Sequence, residues 1–299
     1  MGQGVLVAWV WLAAATFVAG CAWRAWRYRR APVHLRWDLY PVAHEPAARR
    51  AYGGSRLEDP EYWTRGGRRS LAGELEAVLA EAVLFRGVWR NNRRVFWASL
   101  PFHWGLYLLV ATSGLLAASS ILAASSWAIG LARLSGIAGG LLVAAGALGL
   151  LALRTADPGL KRYSSPLDRL NLGAFAAVGG LGAAVALRPG GMEAVSRAVG
   201  ALLAFRSPEA PALVAAHMAL AGLVLFYFPF TRMVHFFAKY FLYHDVRWDD
   251  RAVVAGSAME RRLRGALDFG ISWSADHVGN GRTWREVAAD GRAREERRQ

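Results

Sequence analysis

The sequence predicts an all-α membrane protein with five transmembrane helices. The N-terminus is expected outside, with a long loop and the C-terminal tail in the cytoplasm. Three observations predict this. Hydrophobic residues make up 55% of the 299 residues and charged residues 19%, with a mean hydropathy of +0.21, high for a water-soluble chain. The net charge is nonetheless +14, so apolar residues and charges must occupy different segments. Those segments alternate: uncharged blocks of about the length that crosses a hydrocarbon core of roughly 30 Å are separated by arginine-dense stretches.

The first block covers residues 5–23, the second 95–119, the third 134–153, the fourth 171–187 and the fifth 212–243. The fourth is short and glycine-rich. The fifth is longer than a bilayer needs, so it must tilt, kink or emerge into the cytoplasm. The chain thus divides into a first helix (1–23), a cytoplasmic loop (24–94), a four-helix membrane core (95–243) and a cytoplasmic tail (244–299). Val18-Ala19-Gly20-Cys21 has the form of a lipoprotein cleavage box. However, no Lys or Arg precedes the apolar run, whereas Arg24, Arg27, Arg29 and Arg30 follow it, the polarity of a retained span.

Basic residues set the orientation. Segments 24–94, 154–169 and 244–299 hold 15, four and 11 of the 36 Lys and Arg, while the alternate segments hold only Arg133, Arg188, Arg197 and Arg206. Lys and Arg next to spans stay on the cytoplasmic side. That accounts for the charge without nucleic acid, and no basic-aromatic platform or recognition-helix pattern is present. In the third block Gly136, Gly139, Gly140, Gly146 and Gly149 suit close helix packing. Residues 191–206 read as an amphipathic helix along the outer surface.

Several function classes are excluded. Thirteen Trp, 13 Phe and nine Tyr are too many aromatics for a disordered chain. A single cysteine, Cys21, leaves no disulfide scaffold, no covalently attached c-type haem and no cysteine-ligated iron–sulfur cluster of the chain's own. The five blocks contain no Asp or Glu, which fits poorly with an ion-coupled pump or transporter. No internal repeat suggests an inverted-repeat carrier.

What the blocks do contain is three histidines: His103, His217 and His235. An ionisable side chain in lipid needs a partner, and neutral imidazole ligates haem iron well. His217 and His235 are 18 residues apart, five full turns of a continuous helix. On such a helix both would project from one face, about 27 Å apart. His103 lies about eight residues into the second block, at the same inner depth as His235, so these two can hold one haem between them. His217 lies toward the outside, where three roles are open: a second haem, a quinone pocket, or a core histidine. Arg232, three residues before His235, can pair with a haem propionate or reach lipid phosphates. Pro229 predicts a local kink between the two histidines. Trp97, Trp104, Phe226, Tyr227, Phe228, Phe230, Phe236 and Phe237 are candidate walls for a macrocycle or ordinary lipid-facing aromatics. His34, His44, His244 and His277 read as structural or interface residues.

Two segments carry a family resemblance. Ala98-Ser99-Leu100-Pro101-Phe102-His103-Trp104-Gly105 and Phe228-Pro229-Phe230-Thr231-Arg232-Met233-Val234-His235 resemble the haem-ligand segments of the respiratory nitrate reductase gamma subunit. So do the connection from Asp157-Pro158-Gly159 to Ser165-Pro166-Leu167-Asp168 and the His217–His235 spacing. The resemblance implies a five-span di-haem cytochrome b of the bacterial or archaeal cytoplasmic membrane that oxidises quinol. It assigns His103 and His235 to the inner haem b and His217 to an outer one. The usual partner of His217 lies ten residues after His103, and that position here is Ser113. The loop and tail segments Leu35-Arg36-Trp37-Asp38-Leu39-Tyr40-Pro41, residues 240–250, and Trp273-Ser274-Ala275-Asp276-His277 with Thr283-Trp284 resemble one branch of the family. In that branch the cytochrome pairs with a heterodisulfide-reductase-like iron–sulfur subunit. The implied function is electron transfer between menaquinone and that partner. The competing expectations are a haem-free membrane anchor recruiting a cytoplasmic redox enzyme, and a small-solute transporter.

Overall fold

The computed structural model describes residues 3–31, 47–54, 58–61, 70–121, 126–247, 255–275 and 278–295. Residues 35–41, His34, His44, residues 248–250, Asp276 and His277, named above for the tail and loop, lie outside them. In chain order, α1 (Gln3–Arg30) is followed by the shorter α2 (Ala47–Tyr52), α3 (Leu71–Ala82) and α4 (Arg86–Asn91). Then come α5 (Arg93–Ile121), α6 (Ser126–Ala156), α7 (Pro158–Arg162), α8 (Pro166–Leu187), α9 (Gly191–Leu203), α10 (Ala212–Tyr227), α11 (His235–Phe241), α12 (Ala258–Leu267) and α13 (Trp284–Glu295). Among the described residues there is no strand, and five helices are long and apolar enough to cross a membrane: α1, α5, α6, α8 and α10. The predicted all-α, five-span class is therefore the observed one.

Several boundaries differ from the expectation: α1 runs on to Arg30 rather than ending at 23, and α6 begins at Ser126 rather than 134. Two further differences have a local reason. The fourth helix starts at Pro166 rather than 171. Ser165 accepts from the Asp168 amide at 3.2 Å, Asp168 accepts from the Ser165 amide at 2.9 Å, and Pro166 occupies the first helical position, a complete capping box. The fourth span therefore does contain a carboxylate, Asp168, but in its first turn, where it satisfies backbone N–H groups.

The fifth helix stops at Tyr227 instead of running to 243. Pro229 has no N–H to donate, and its ring clashes with the carbonyl four residues earlier. Phe228–Phe230 tightens into a 3₁₀ turn, and Thr231 becomes extended (φ −103°, ψ 177°). The Thr231 amide and hydroxyl both donate to the Phe228 carbonyl, at 3.1 and 2.8 Å. A second 3₁₀ turn, Arg232–Val234, leads into α11.

The chain forms two compact units, one of residues 1–20 and 78–232, the other of residues 21–77 and 233–299. In the first, α5 packs on α6, α6 on α8 and α8 on α10. Small residues set how closely. A Cβ on Gly140 would lie 2.6 Å from the Gly179 carbonyl oxygen of α8, and one on Gly146 would lie 2.5 Å from the Phe102 amide nitrogen of α5. Both neighbours are backbone, which cannot move aside. Gly146→Val is therefore expected to separate α5 from α6 at a cost of about 1–3 kcal/mol or more, read as a lowered Tm of the detergent-solubilised protein. Gly180→Ala, whose Cβ meets open space, is expected to keep or raise it.

The amphipathic segment after α8 is a helix, α9, whose Met192, Ala194 and Ala198 are buried against the bundle. Arg133 of α6 reaches its Glu193 at 3.5 Å and the Arg188 carbonyl at 3.1 Å. α1 lies along α10: Trp9 donates its indole N–H to the Ala219 carbonyl at 3.1 Å, and the Phe17 and Phe228 rings are 5.8 Å apart.

In the second unit Tyr28 packs on Phe237 and Phe241, with ring centroids 6.2 and 5.8 Å apart. Arg262 of α12 donates from Nε to the Ala31 carbonyl at 3.1 Å. Met259, Ile271 and Val278 are buried. Two caps shape this unit. Ser257 accepts from the Glu260 amide, and Glu260 binds Arg264 and the Gly256 amide; Glu286 binds the Thr283 amide and hydroxyl. The Arg264 hydrogen bond holds the Glu260 carboxyl below the usual glutamate range, and the Thr283 amide does the same for Glu286. A carboxylate lowered on folding stabilises above its ordinary pKa and loses that effect as pH falls through the lowered value. Carboxyl NMR titration is thus expected to place both below free glutamate, with fraying of α12 and α13 once each is protonated.

Candidate functional site

His103 sits on α5 one turn after Ser99, where a helical side chain leans back over the preceding turn. Its Nδ1 lies 2.8 Å from the Ser99 carbonyl oxygen, and the Ser99 hydroxyl is 3.3 Å away. A carbonyl only accepts, so Nδ1 carries the proton and donates. The lone pair is then on Nε2. This is how metal-ligating histidines are held: one ring nitrogen is tied to the protein and the other is presented to the metal. Two aromatic rings bound the imidazole. Phe102 stands perpendicular to it, with centroids 5.2 Å apart, and Phe85 leans on it at 4.8 Å.

His217 is on α10. Its ring packs on α8 at Gly182, where a Cβ would come within 2.9 Å of the imidazole Cε1. The missing side chain is what admits the ring. Its Nδ1 is buried and has no hydrogen-bond partner among the described residues, an arrangement that costs free energy unless something bound supplies one.

The packing layers place these two histidines. Phe102, beside His103, meets Gly146 of α6 and Phe175 of α8. Gly182, under His217, is seven residues further along α8, about 10 Å up the bundle at 1.5 Å per residue. One more turn brings the layer where Thr112 bonds Ser135 at 2.7 Å and Gly136 approaches Thr112 and Ala186. His103 and His217 therefore occupy different layers and cannot share one iron.

Ser113 lies next to that upper layer. It is exposed, and its hydroxyl donates to the Leu109 carbonyl of its own helix at 2.9 Å. It offers no substitute for a ligating imidazole.

His235 is the first residue of α11 and belongs to the second unit. The sequence argument placed it on one helical face with His217. The break at Phe228–Val234 removes that relation, because turns cannot be counted through an extended Thr231. Arg232, in the first unit, is exposed and lies within electrostatic reach of Asp168 at the start of α8, as does Arg154. Many of the candidate macrocycle walls have other work. Phe226 packs on Trp9, Phe228 on Phe17 and Phe175, and Trp97 on Trp89 and Phe96. The Trp104 indole donates to the Val83 carbonyl at 3.2 Å.

Sequence reasoning missed three contributors. Ser99 was legible, being one turn before His103. Gly182 was one glycine among several in its helix. Phe85 lies outside the periodic pattern of α5 and gave no signal.

Among the described residues no cluster of three or more His, Cys, Asp or Glu makes a separate metal site.

No curated protein and no solved structure matches the chain. The family model described as nitrate reductase gamma subunit matches residues 89–249, more than half of it. The matched stretch takes in α5 to α11 with His103, Ser113, His217, Arg232 and His235, and on that extent the chain belongs to the nitrate reductase gamma subunit family.

Proposed function

We propose that this protein is the membrane cytochrome b subunit of a redox complex. It would transfer electrons between menaquinone and a cytoplasmic iron–sulfur subunit of the heterodisulfide-reductase-like type. The observation that carries the proposal is the Nδ1–H of His103 donated to the Ser99 carbonyl, which puts the ring's lone pair on Nε2, the nitrogen that would hold iron.

One haem b fits the residues; two do not. His103 and His235 would hold it, a pairing that rests on the sequence. When bound, the haem supplies a one-electron couple whose potential the imidazoles and their surroundings tune. The position expected to complete a second haem is Ser113, whose hydroxyl is spent on its own helix. His217 is instead read as the quinone-pocket residue. A quinol hydroxyl or quinone carbonyl would satisfy its buried Nδ1. Quinol oxidation releases two protons and two electrons, and an imidazole ordinarily titrating near neutrality is suited to accept the first proton.

The basic segments 24–94, 154–169 and 244–299 support a cytoplasmic loop and tail with the N-terminus outside, in a bacterial or archaeal inner membrane. His217 then lies toward the outside and His103 toward the partner. The exposed Trp273, Trp284 and Phe269 of the second unit have the character of interface residues.

The test is a reduced-minus-oxidised spectrum of the purified protein with haem-to-protein stoichiometry. One b-type haem per chain is expected. Wild type without a b-type signal would refute the reading and leave a haem-free anchor, in which partner capture survives without colour.

A further inference from the structure

The turn between α3 and α4 holds a backbone conformation that its residue does not favour. Phe85 has φ 52° and ψ 37°, the left-handed region. That conformation is disfavoured for a bulky L-residue, whereas glycine adopts it freely. Such strain persists only where the surroundings over-determine it.

They do so here. Tyr107 donates its hydroxyl to the Ala82 carbonyl at 2.7 Å, and Trp104 its indole N–H to the Val83 carbonyl at 3.2 Å. On the other side the Val83 and Leu84 amides both donate to the Leu79 carbonyl, at 3.0 and 3.2 Å. The Phe85 carbonyl then accepts from Trp89 at 2.9 Å to open α4. Trp104 and Tyr107 are one and four residues after His103, so clip and candidate ligand belong to the same two turns of α5. The result is that Phe85 is 6% exposed, beside a Leu84 that is 65% exposed, with its ring against the His103 imidazole at 4.8 Å.

A turn that served only to join two helices would be cheaper with glycine. What the aromatic adds is a wall. The Ser99 carbonyl holds one edge of the imidazole through Nδ1. Phe102, perpendicular to the ring, and Phe85, leaning on it, bound the imidazole further.

We propose that Phe85, held in its left-handed turn by Trp104 and Tyr107, is a positioning residue that sets the plane of the His103 imidazole. The inference rests on the reading of His103 as a haem ligand and goes beyond it in assigning ring orientation to a residue that touches no iron. The plane of an axial imidazole governs how its π orbitals overlap those of low-spin ferric iron. The highest g value of the electron paramagnetic resonance signal reports it directly.

The experiment records that signal, with the redox midpoint and haem content, for wild type, Phe85→Gly, Phe85→Tyr and Tyr107→Phe. Phe85→Gly relieves the backbone while deleting the wall. It is expected to retain haem and to shift both the highest g value and the midpoint. Phe85→Tyr, which keeps a ring, is expected to restore the wild-type signal. Tyr107→Phe, which loosens the clip, is expected to shift it in the glycine direction by less. Haem retained in Phe85→Gly with an unmoved signal overturns the proposal. Should Phe85→Gly fail to assemble, an unmoved signal in Tyr107→Phe combined with Trp104→Phe overturns it equally. Wild type without haem overturns the ligation reading, and this proposal with it.

Discussion

Replacing His103 by alanine is expected to abolish the b-type spectrum of the purified protein while the five-helix bundle survives. The packing supports the second half of that expectation. α5 is held to α6 by close approaches at Gly105, Gly139 and Gly146, and by the Thr112–Ser135 hydrogen bond. None of these involves the imidazole. The first half follows from the role of Nε2: alanine has no lone pair to give, and no other cluster of ligating residues exists among those described. Haem content and circular dichroism measured on the same preparation separate the two effects. His103→Gly in buffer containing free imidazole provides the converse, a spectrum partly restored because the vacated volume admits the missing ring. Ser99→Ala, which deletes only the 3.3 Å hydroxyl contact and keeps the 2.8 Å carbonyl acceptor, is expected to retain haem. A His103→Ala protein with undiminished colour would sink the assignment.

Replacing His217 by alanine is expected to leave haem content at the wild-type level and to slow menaquinol oxidation by about 10²-fold, the low end of what a positioned general base contributes. The buried, partnerless Nδ1 and the seat on Gly182 are the basis for this expectation. Gly182→Val should reproduce part of the defect, since its side chain would occupy the place of the imidazole edge. Stoichiometry and turnover together decide among the three roles open to His217, both unchanged marking a core histidine. A fall from two haems to one in His217→Ala would establish an outer haem and remove the quinone role; an unchanged single haem with impaired turnover would establish the reverse.

Much of the architecture was legible before any coordinates. Hydropathy over about 20 residues is a local property, and crossing a hydrocarbon core imposes a length and satisfies the backbone internally. The five spans therefore stand where the apolar blocks are. The glycines of the third block foretold its close contacts, and Gly140 and Gly146 are indeed where backbone meets backbone. Boundaries were less legible. The capping box at Ser165 and Asp168 was present in the sequence, yet hydropathy alone put the helix start beyond it.

The candidate site divides along the same line. The sequence alone determined that His103, His217 and His235 stand in apolar blocks free of carboxylates, because that is a fact of composition and spacing; that Ser113 stands where a further ligand is usual is what the family resemblance implies. The fifth apolar helix reaches only Phe230, so His235 lies beyond it. Only the tertiary structure decided that α10 ends before Pro229, so that His217 and His235 share no helical face, and that a strained Phe85 from outside the membrane helices walls in His103. Such contacts join residues whose separation along the chain carries no period. They arise from which helices pack and how closely, a property of the whole bundle that no single stretch encodes.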